Sequence, residues 1–234
     1  MSEESLYLIP CHLGENDTYK VTVPWVMDLV PLINNYIVED LRTARRYLRK
    51  VDPQKNIDGC TFHELNKHTK ASDINGFLEA AKQGKPIGLL SEAGCPGIAD
   101  PGAEVVTLAH QRLITVVPIP GPSSILLTLI GSGFNGQNFT FNGYLPREQN
   151  QRIKAVKELE SRVFKNRQTQ LFMETPFRAQ HMLNDILAQC SPKTRLCLGV
   201  DLTLETEMVQ TKTVELWAKN PPQLHKRLCI FAFG

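Results

Sequence analysis

Ile87-Gly88-Leu89-Leu90-Ser91-Glu92-Ala93-Gly94-Cys95-Pro96-Gly97-Ile98-Ala99-Asp100-Pro101-Gly102 is the stretch from which the fold is read. An apolar run of strand length stops in a loop that holds Gly94, Gly97 and Gly102 together with Pro96 and Pro101. A helix-like pattern over 103–111 follows at once. Glycine lets a backbone approach a ligand closely, and proline stiffens its path. In an open α/β sheet, ligands sit at the loops on the carboxyl ends of strands. An ordinary strand-to-helix connection is also rich in Gly and Pro, but needs only about two to six residues. This one is longer and carries two carboxylates, Glu92 and Asp100. Its length and charge favour a ligand-binding loop, because loops on a rigid scaffold carry function. Asp100, just before Pro101 and a helix, reads as a helix cap.

Working outward, strand and helix alternate. Strands are predicted at 6–10, 36–39, 61–65, 87–90 and 113–118, with helices at 24–34, 40–51, 72–84 and 103–111 between them. Pro31 must end or kink the first helix. Ser72 is placed as a cap and Gly84 as a stop for the third. Such alternation means parallel strands with crossover helices. Val117-Pro118-Ile119-Pro120-Gly121-Pro122 continues neither element type and marks a boundary. The expected division is a first domain at 1–118, a linker at 119–121 and a second domain at 122–234. In the second, helices are predicted at 123–131, 152–164 and 178–189, and strands at 139–144, 170–173, 196–200, 207–213 and 228–233. Short links between the last strands imply antiparallel pairing, hence a mixed sheet. The expected fold class is α/β, in two α/β domains.

Bulk composition narrows the function. A hydrophobic content of 42% in 234 residues supports a proper core, and a net charge of +2 indicates no general nucleic-acid coat. The six cysteines form no C-x-x-C pair. They imply a reducing compartment rather than a disulfide framework. The acidic start Met1-Ser2-Glu3-Glu4-Ser5 has no apolar signal core, and no run approaches the roughly 18 apolar residues of a membrane span. A cytoplasmic protein is expected.

Among the motifs, Gly131-Ser132-Gly133-Phe134-Asn135-Gly136 matches G-x-G-x-x-G but has a helix before it and a strand after it. That is the reverse of the dinucleotide fingerprint, so it reads as a turn. His63, His68 and the Cys11-His12 pair lack zinc-site spacing, and no metal is expected. Arg42, Arg45, Arg46 and Arg49 share one helical face, offset nearby only by Glu39 and Asp40. Two readings stand for this face: a solvated charge cluster, or a phosphate-backbone contact. Glu174 lies between a strand and a helix start at Thr175-Pro176, either as a ligand contact or as a charge on the helix dipole.

These pieces, in this order, resemble the tetrapyrrole-methylase-like superfamily of S-adenosylmethionine-dependent methyltransferases. Within it, the sequence is most similar to the bacterial small-subunit ribosomal RNA cytidine 2′-O-methyltransferases. The similarity rests on Pro10-Cys11-His12-Leu13-Gly14-Glu15-Asn16, Val38-Glu39-Asp40-Leu41-Arg42, the 91–102 loop and Pro120-Gly121-Pro122-Ser123-Ser124. It continues through Phe139-Thr140-Phe141-Asn142-Gly143-Tyr144-Leu145-Pro146, Met173-Glu174-Thr175-Pro176-Phe177-Arg178 and Asp201-Leu202-Thr203-Leu204.

The resemblance implies two α/β domains with S-adenosyl-L-methionine in the cleft between them. Carried over residue by residue, it implies cofactor contacts by Leu13, Ser91, Glu92, Ala93, Gly94, Cys95, Pro96, Gly97, Ile98, Ser123, Ser124, Glu174, Thr175 and Leu202. It further implies a homodimer, and contact of small-subunit rRNA by Arg42, Arg45 and Arg46. The sequence departs from the family in the first loop, which replaces T-P-I-G-N-L and has an extra position near Glu15. The central S-D-A-G-T-P-G-I-S is here Ser91-Glu92-Ala93-Gly94-Cys95-Pro96-Gly97-Ile98-Ala99. Ending at Gly234, the sequence is expected to lack the further carboxyl-terminal domain of some RNA-modifying members.

Methyl transfer from a sulfonium needs orientation more than electrophilic assistance. A ribose hydroxyl is a poor nucleophile and benefits from a general base. Glu92 ranks first, with Glu39 and Asp40 behind it. Two alternatives stand beside rRNA 2′-O-methylation: a tetrapyrrole or other small-molecule acceptor, and a non-catalytic cofactor- or RNA-binding relative.

Overall fold

The structure, a computed structural model, describes residues 5–14 and 18–234. The acidic start at 1–4 and the 15–17 stretch, with the extra position near Glu15, lie outside the described residues. The chain divides into two compact units between Ser123 and Ser124.

The first unit runs β1 (Ser5–Leu8), α1 (Thr18–Val21), α2 (Pro24–Leu29), β2 (Asn35–Val38), α3 (Leu41–Val51), β3 (Thr61–Glu64), α4 (Ala71–Phe77), α5 (Glu79–Lys82), β4 (Ile87–Leu90), α6 (Ala103–Gln111) and β5 (Thr115–Pro118). Its sheet has the order β3-β2-β4-β1-β5, and every pairing in it is parallel. Alternate strand residues feed opposite faces, as the two-residue period demands. Tyr7, Ile9, Tyr36, Val38 and Leu90 pack with α2 and α3, while Leu6, Ile37, Ile87 and Leu89 pack with the helices α4 to α6. Both faces are covered, which is why these strands read as continuous apolar runs.

Local chemistry accounts for the departures from expectation. Pro31 turns the end of α2 into a 3-10 helix at Val30–Leu32. Ser72 does not cap α4: the cap position is Lys70, and the Ser72 hydroxyl donates to Asp73 Oδ1 instead. The helix also breaks at Leu78 before it reaches Gly84. Asp100 does not cap α6 either. Gly102 holds that position without a side-chain bond, and Ser91 engages the Asp100 side chain.

The second unit runs α7 (Ser124–Ser132), β6 (Phe139–Tyr144), α8 (Gln149–Asn166), β7 (Thr169–Glu174), α9 (Ala179–Gln189), β8 (Arg195–Val200), β9 (Met208–Thr213), α10 (Val214–Lys219) and β10 (Cys229–Phe233). The sheet order is β6-β7-β10-β8-β9, with β6 and β7 parallel and the remaining pairs antiparallel. Phe172, Leu198, Val200, Phe231 and Phe233 form one apolar face with α8, α9 and α10. Leu171, Cys197, Ile230 and Ala232 form the other, against Ile125 and Leu129 of α7. The expected helix start at Thr175-Pro176 is instead a separate turn, closed by the Arg178 N–H on the Thr175 carbonyl, and α9 begins at Ala179. No described helix is long and apolar enough to cross a membrane.

Candidate functional site

Parallel pairing puts the carboxyl ends of β2, β4, β1 and β5 side by side along one edge of the first sheet. Four loops leave that edge. They are tied by main chain: the Cys11 N–H donates to the Gly94 carbonyl at 2.8 Å, and the Gly94 N–H returns to the Cys11 carbonyl at 3.1 Å. Gly94 takes φ +72°, and a Cβ there would sit 3.4 Å from Leu13 Cδ2 and 3.6 Å from the Pro122 carbonyl. The first loop, the central loop and the Pro-Gly-Pro loop therefore meet at a glycine that has no L-residue equivalent without strain. The Cys95 thiol donates to the same Pro122 carbonyl at 3.6 Å. Gly121 is tighter still. A Cβ there would lie 2.2 Å from both Cβ and Cγ of Pro10, so the Gly121 backbone packs against the Pro10 ring where only glycine fits.

His12 of the first loop is buried. Its Nε2 lies 2.7 Å from the Thr22 hydroxyl, and its ring meets Tyr47 edge-on at 5.1 Å. Burial holds its pKa below the ordinary histidine value, with Lys50 adding to the effect, so it packs as a neutral ring. The Tyr47 hydroxyl donates to the Pro10 carbonyl at 2.8 Å and braces the first loop from α3.

Three carboxylates gather beside this junction. The Glu92 N–H donates to Glu39 Oε2 at 3.3 Å, joining the ends of β2 and β4. Glu39 is half-buried, and burial followed by the charge of Asp100 raises its pKa. Asp100 is likewise raised, chiefly by burial. The Glu92 side chain is exposed. Asp40 is committed elsewhere: its Oδ1 accepts the Thr43 N–H at 2.7 Å as the cap of α3, and the Thr43 bonds hold its pKa below the usual range. The sequence singled out Glu92 and read Asp100 as a cap. It gave no sign that Glu39, Glu92 and Asp100 would share one edge, because that depends on β2 lying next to β4.

Leu13, the residues 91–98 and Ser123 thus fall in the first unit, around this junction. Ser124, Glu174, Thr175 and Leu202 belong to the second. There, Glu174 and Val200 both pair with Cys229 from opposite sides of β10, so Thr175 and Leu202 leave the same end of that sheet. Glu174 Oε1 accepts the Thr175 N–H at 2.6 Å and Arg178 Nε at 2.9 Å. The Glu174 side chain is fully buried, and Glu174 Oε2 and Arg178 Nη1 have no hydrogen-bond partner among the described residues. Leu202 is buried between Asp201 and Thr203, both of left-handed φ. The Asp201 carboxylate fixes that turn by accepting from Arg227 Nε, the Leu228 N–H and the Thr206 hydroxyl.

Arg42, Arg45, Arg46 and Arg49 of α3, with Asp40 and Leu41, line a concavity of about 550 Å³. Arg45 pairs with Asp58 and lies 5.9 Å from the centre of the Phe62 ring. Arg42, Arg46 and Arg49 are exposed, and no ion pair holds them among the described residues.

The residues of the first junction fit a sulfonium nucleoside. The loop offers main-chain polar groups and small side chains to adenine, ribose and amino acid, and the carboxylates beside it suit a positively charged sulfur.

Comparison with known proteins places this architecture. The family model for tetrapyrrole (corrin/porphyrin) methylases matches residues 28–216. Proteins named ribosomal RNA small subunit methyltransferase I are similar along the chain. The one from Halalkalibacterium halodurans is 35% identical over 78% of this chain and 59% of its own length. That from Vibrio cholerae is 30% identical over 88% of this chain and 67% of its own, and that from Bacillus subtilis 30% over 98% and 75%. The chain thus spans between about three-fifths and three-quarters of these relatives. Among solved structures, the methyltransferase CobJ superposes with a TM-score of 0.61 at 14% identity, covering 98% of this chain and 92% of that one. The cobalt precorrin-4 methyltransferase CbiF gives 0.59 at 12% identity, covering 99% and 95%. At that identity the superpositions speak for the fold, and the sequence matches speak for the kinship: the chain belongs to the tetrapyrrole (corrin/porphyrin) methylase family of methyltransferases.

Proposed function

We propose that the protein is an S-adenosylmethionine-dependent methyltransferase that modifies a ribose 2′-hydroxyl of small-subunit ribosomal RNA. The observation that carries this reading is the glycine junction of Cys11, Gly94 and Pro122 beside the Glu39, Glu92 and Asp100 carboxylates, in a chain whose relatives are named for rRNA methylation. Bound S-adenosylmethionine supplies an electrophilic methyl group. The chain's own part is to hold the acceptor oxygen in line with it and to exclude water. Leu13, Ser91, Glu92, Ala93, Gly94, Cys95, Pro96, Gly97, Ile98 and Ser123 are assigned to the cofactor from the first unit, and Ser124, Glu174, Thr175 and Leu202 from the second. Arg42, Arg45 and Arg46 are assigned to the RNA backbone, as a homodimer working in the cytoplasm.

Glu92, solvent-facing on the loop, remains the first candidate to take the hydroxyl proton. Glu39 is its competitor, since its Oε2 meets the Glu92 N–H and burial raises its pKa. Asp40 drops out, because its oxygen is spent on Thr43.

Calorimetry with S-adenosylmethionine, followed by tritium transfer to small-subunit rRNA from a strain lacking this methylation, tests the proposal. Saturable one-site binding and label in the RNA are expected. Binding without label on rRNA, but with label on a tetrapyrrole, would move the chain to small-molecule methylation. Absence of cofactor binding at millimolar concentration refutes the reading outright. Within it, Glu92→Gln and Glu39→Gln in single turnover identify the base by which one slows transfer.

A further inference from the structure

The four arginines of α3 are not equivalent. Arg42, Arg46 and Arg49 are exposed and form no ion pair among the described residues, while Arg45 is held by an acid that is itself almost bare: the Asp58 side chain is 81% exposed and that of Arg45 30%. Asp58 sits in the 3-10 turn Ile57–Gly59, whose start is capped by Asn56 Oδ1 accepting the Gly59 N–H at 3.2 Å. Phe62 lies beside the Arg45 guanidinium and limits its swing. Arg45 lines the arginine concavity, and its pair with Asp58 stands in water, where such a pair is weak.

A polyphosphate strand offers a better partner. From Arg42 to Arg49 the helix advances about 10 Å at its fixed rise, the distance along a duplex axis over which each strand carries about three phosphates. Guanidinium and phosphate match as a two-pronged pair, which a single exposed carboxylate does not equal once neighbouring arginines act together. We propose that Asp58 is a built-in counter-anion that RNA phosphate displaces from Arg45, and that Arg49 joins Arg42 and Arg46 as a phosphate contact. This rests on the RNA reading above. In the free protein, Asp58 keeps Arg45 pre-oriented and lowers the positive field of the face. On binding, the carboxylate is released to water and Arg45 turns to the backbone of the RNA.

The test uses the whole chain and a fluorescein-labelled hairpin from small-subunit rRNA, read by anisotropy between 50 and 300 mM KCl. Asp58→Asn is expected to tighten binding about two- to five-fold at the lowest salt, the scale of one exposed ion pair. In an Arg45→Ala background the same change is expected to have no effect, because the arginine it frees is gone. Arg49→Ala is expected to weaken binding and to lower the salt slope by about 0.7 to 0.9. Unchanged affinity in Asp58→Asn, or a gain that persists without Arg45, overturns the displacement and leaves Asp58 as a structural tie or a general repulsive charge. Arg49→Ala with unaltered slope removes Arg49 from the track. If the unaltered protein itself shows no salt-dependent RNA binding, the RNA reading falls, and that result is distinct from the others.

Discussion

Gly121→Ala places the heaviest load on the geometry described above. The added methyl carbon would stand 2.2 Å from two carbons of the Pro10 ring, where carbon atoms in contact settle near 3.5 to 4 Å. A proline ring has no rotamer by which to step aside. The shortfall of well over an ångström therefore has to be met by moving either the first loop or the Pro-Gly-Pro loop. Overpacking of this kind costs about 2 to 3 kcal/mol. Ile119 lies next door and donates its N–H to the Leu8 carbonyl at 3.1 Å, so a displaced loop also pulls on the pairing of β1 with β5. Native-state hydrogen exchange reads this directly. At 1.4 kcal/mol per tenfold, protection of the slowest β1 and β5 amides should fall about 30- to 150-fold. S-adenosylmethionine affinity should fall with it. Gly136→Ala is the control, since a Cβ there meets nothing within 4 Å. If protection in Gly121→Ala stays within about threefold of the parent, the two loops do not press on each other as described, and the junction loses its physical basis.

Further outcomes follow from single groups. Asp40→Ala removes the Thr43 cap and should cost about 1 kcal/mol at neutral pH in chemical denaturation. Because the folded pKa is depressed, that contribution is present above the unfolded value near 4 and vanishes as pH falls through the folded one. Glu39→Gln has the opposite sign. Its folded pKa is raised, so the stability linked to it is present below about pH 4.3 and lost as pH rises. The variant should melt higher than the parent at pH 7.5 and match it near pH 4, and a pH-independent difference would contradict the burial assigned to Glu39. Arg178→Ala strands the buried Glu174 carboxylate and should cost about 3 kcal/mol, seen as a lower urea midpoint with unchanged slope.

Much of this architecture was readable from pattern alone. Ile37 stands between Tyr36 and Val38, and Leu89 next to Leu90, which is how a strand covered on both faces announces itself. Short links such as 201–207 between β8 and β9 left antiparallel pairing as the economical choice, and the mixed sheet bears that out. What escaped was set by partners distant in the chain. Asp100 looks like a cap because Pro101-Gly102 precedes a helix, yet Ser91 and the Glu39 and Glu92 carboxylates decide its surroundings. Helix α10 went unnoticed because six residues give no period to count, although Thr213, which accepts the Leu216 N–H, is an ordinary start signal. Asp58 was invisible as a partner of Arg45, since the intervening turn brings together residues 13 apart that share no helical face.

One-way travel of the strands has a practical corollary. With every strand of the first sheet entering at one rim and leaving at the other, the entry rim carries the connections into β2, β3, β4 and β5, among them the short reversals at 83–86 and 112–114, and Leu113 in the second stands 90% exposed. An affinity tag, a fluorophore or a tether spliced into either reversal would sit a full strand length from the glycine junction. That rim is the natural handle for immobilising or labelling the protein while leaving its working end untouched.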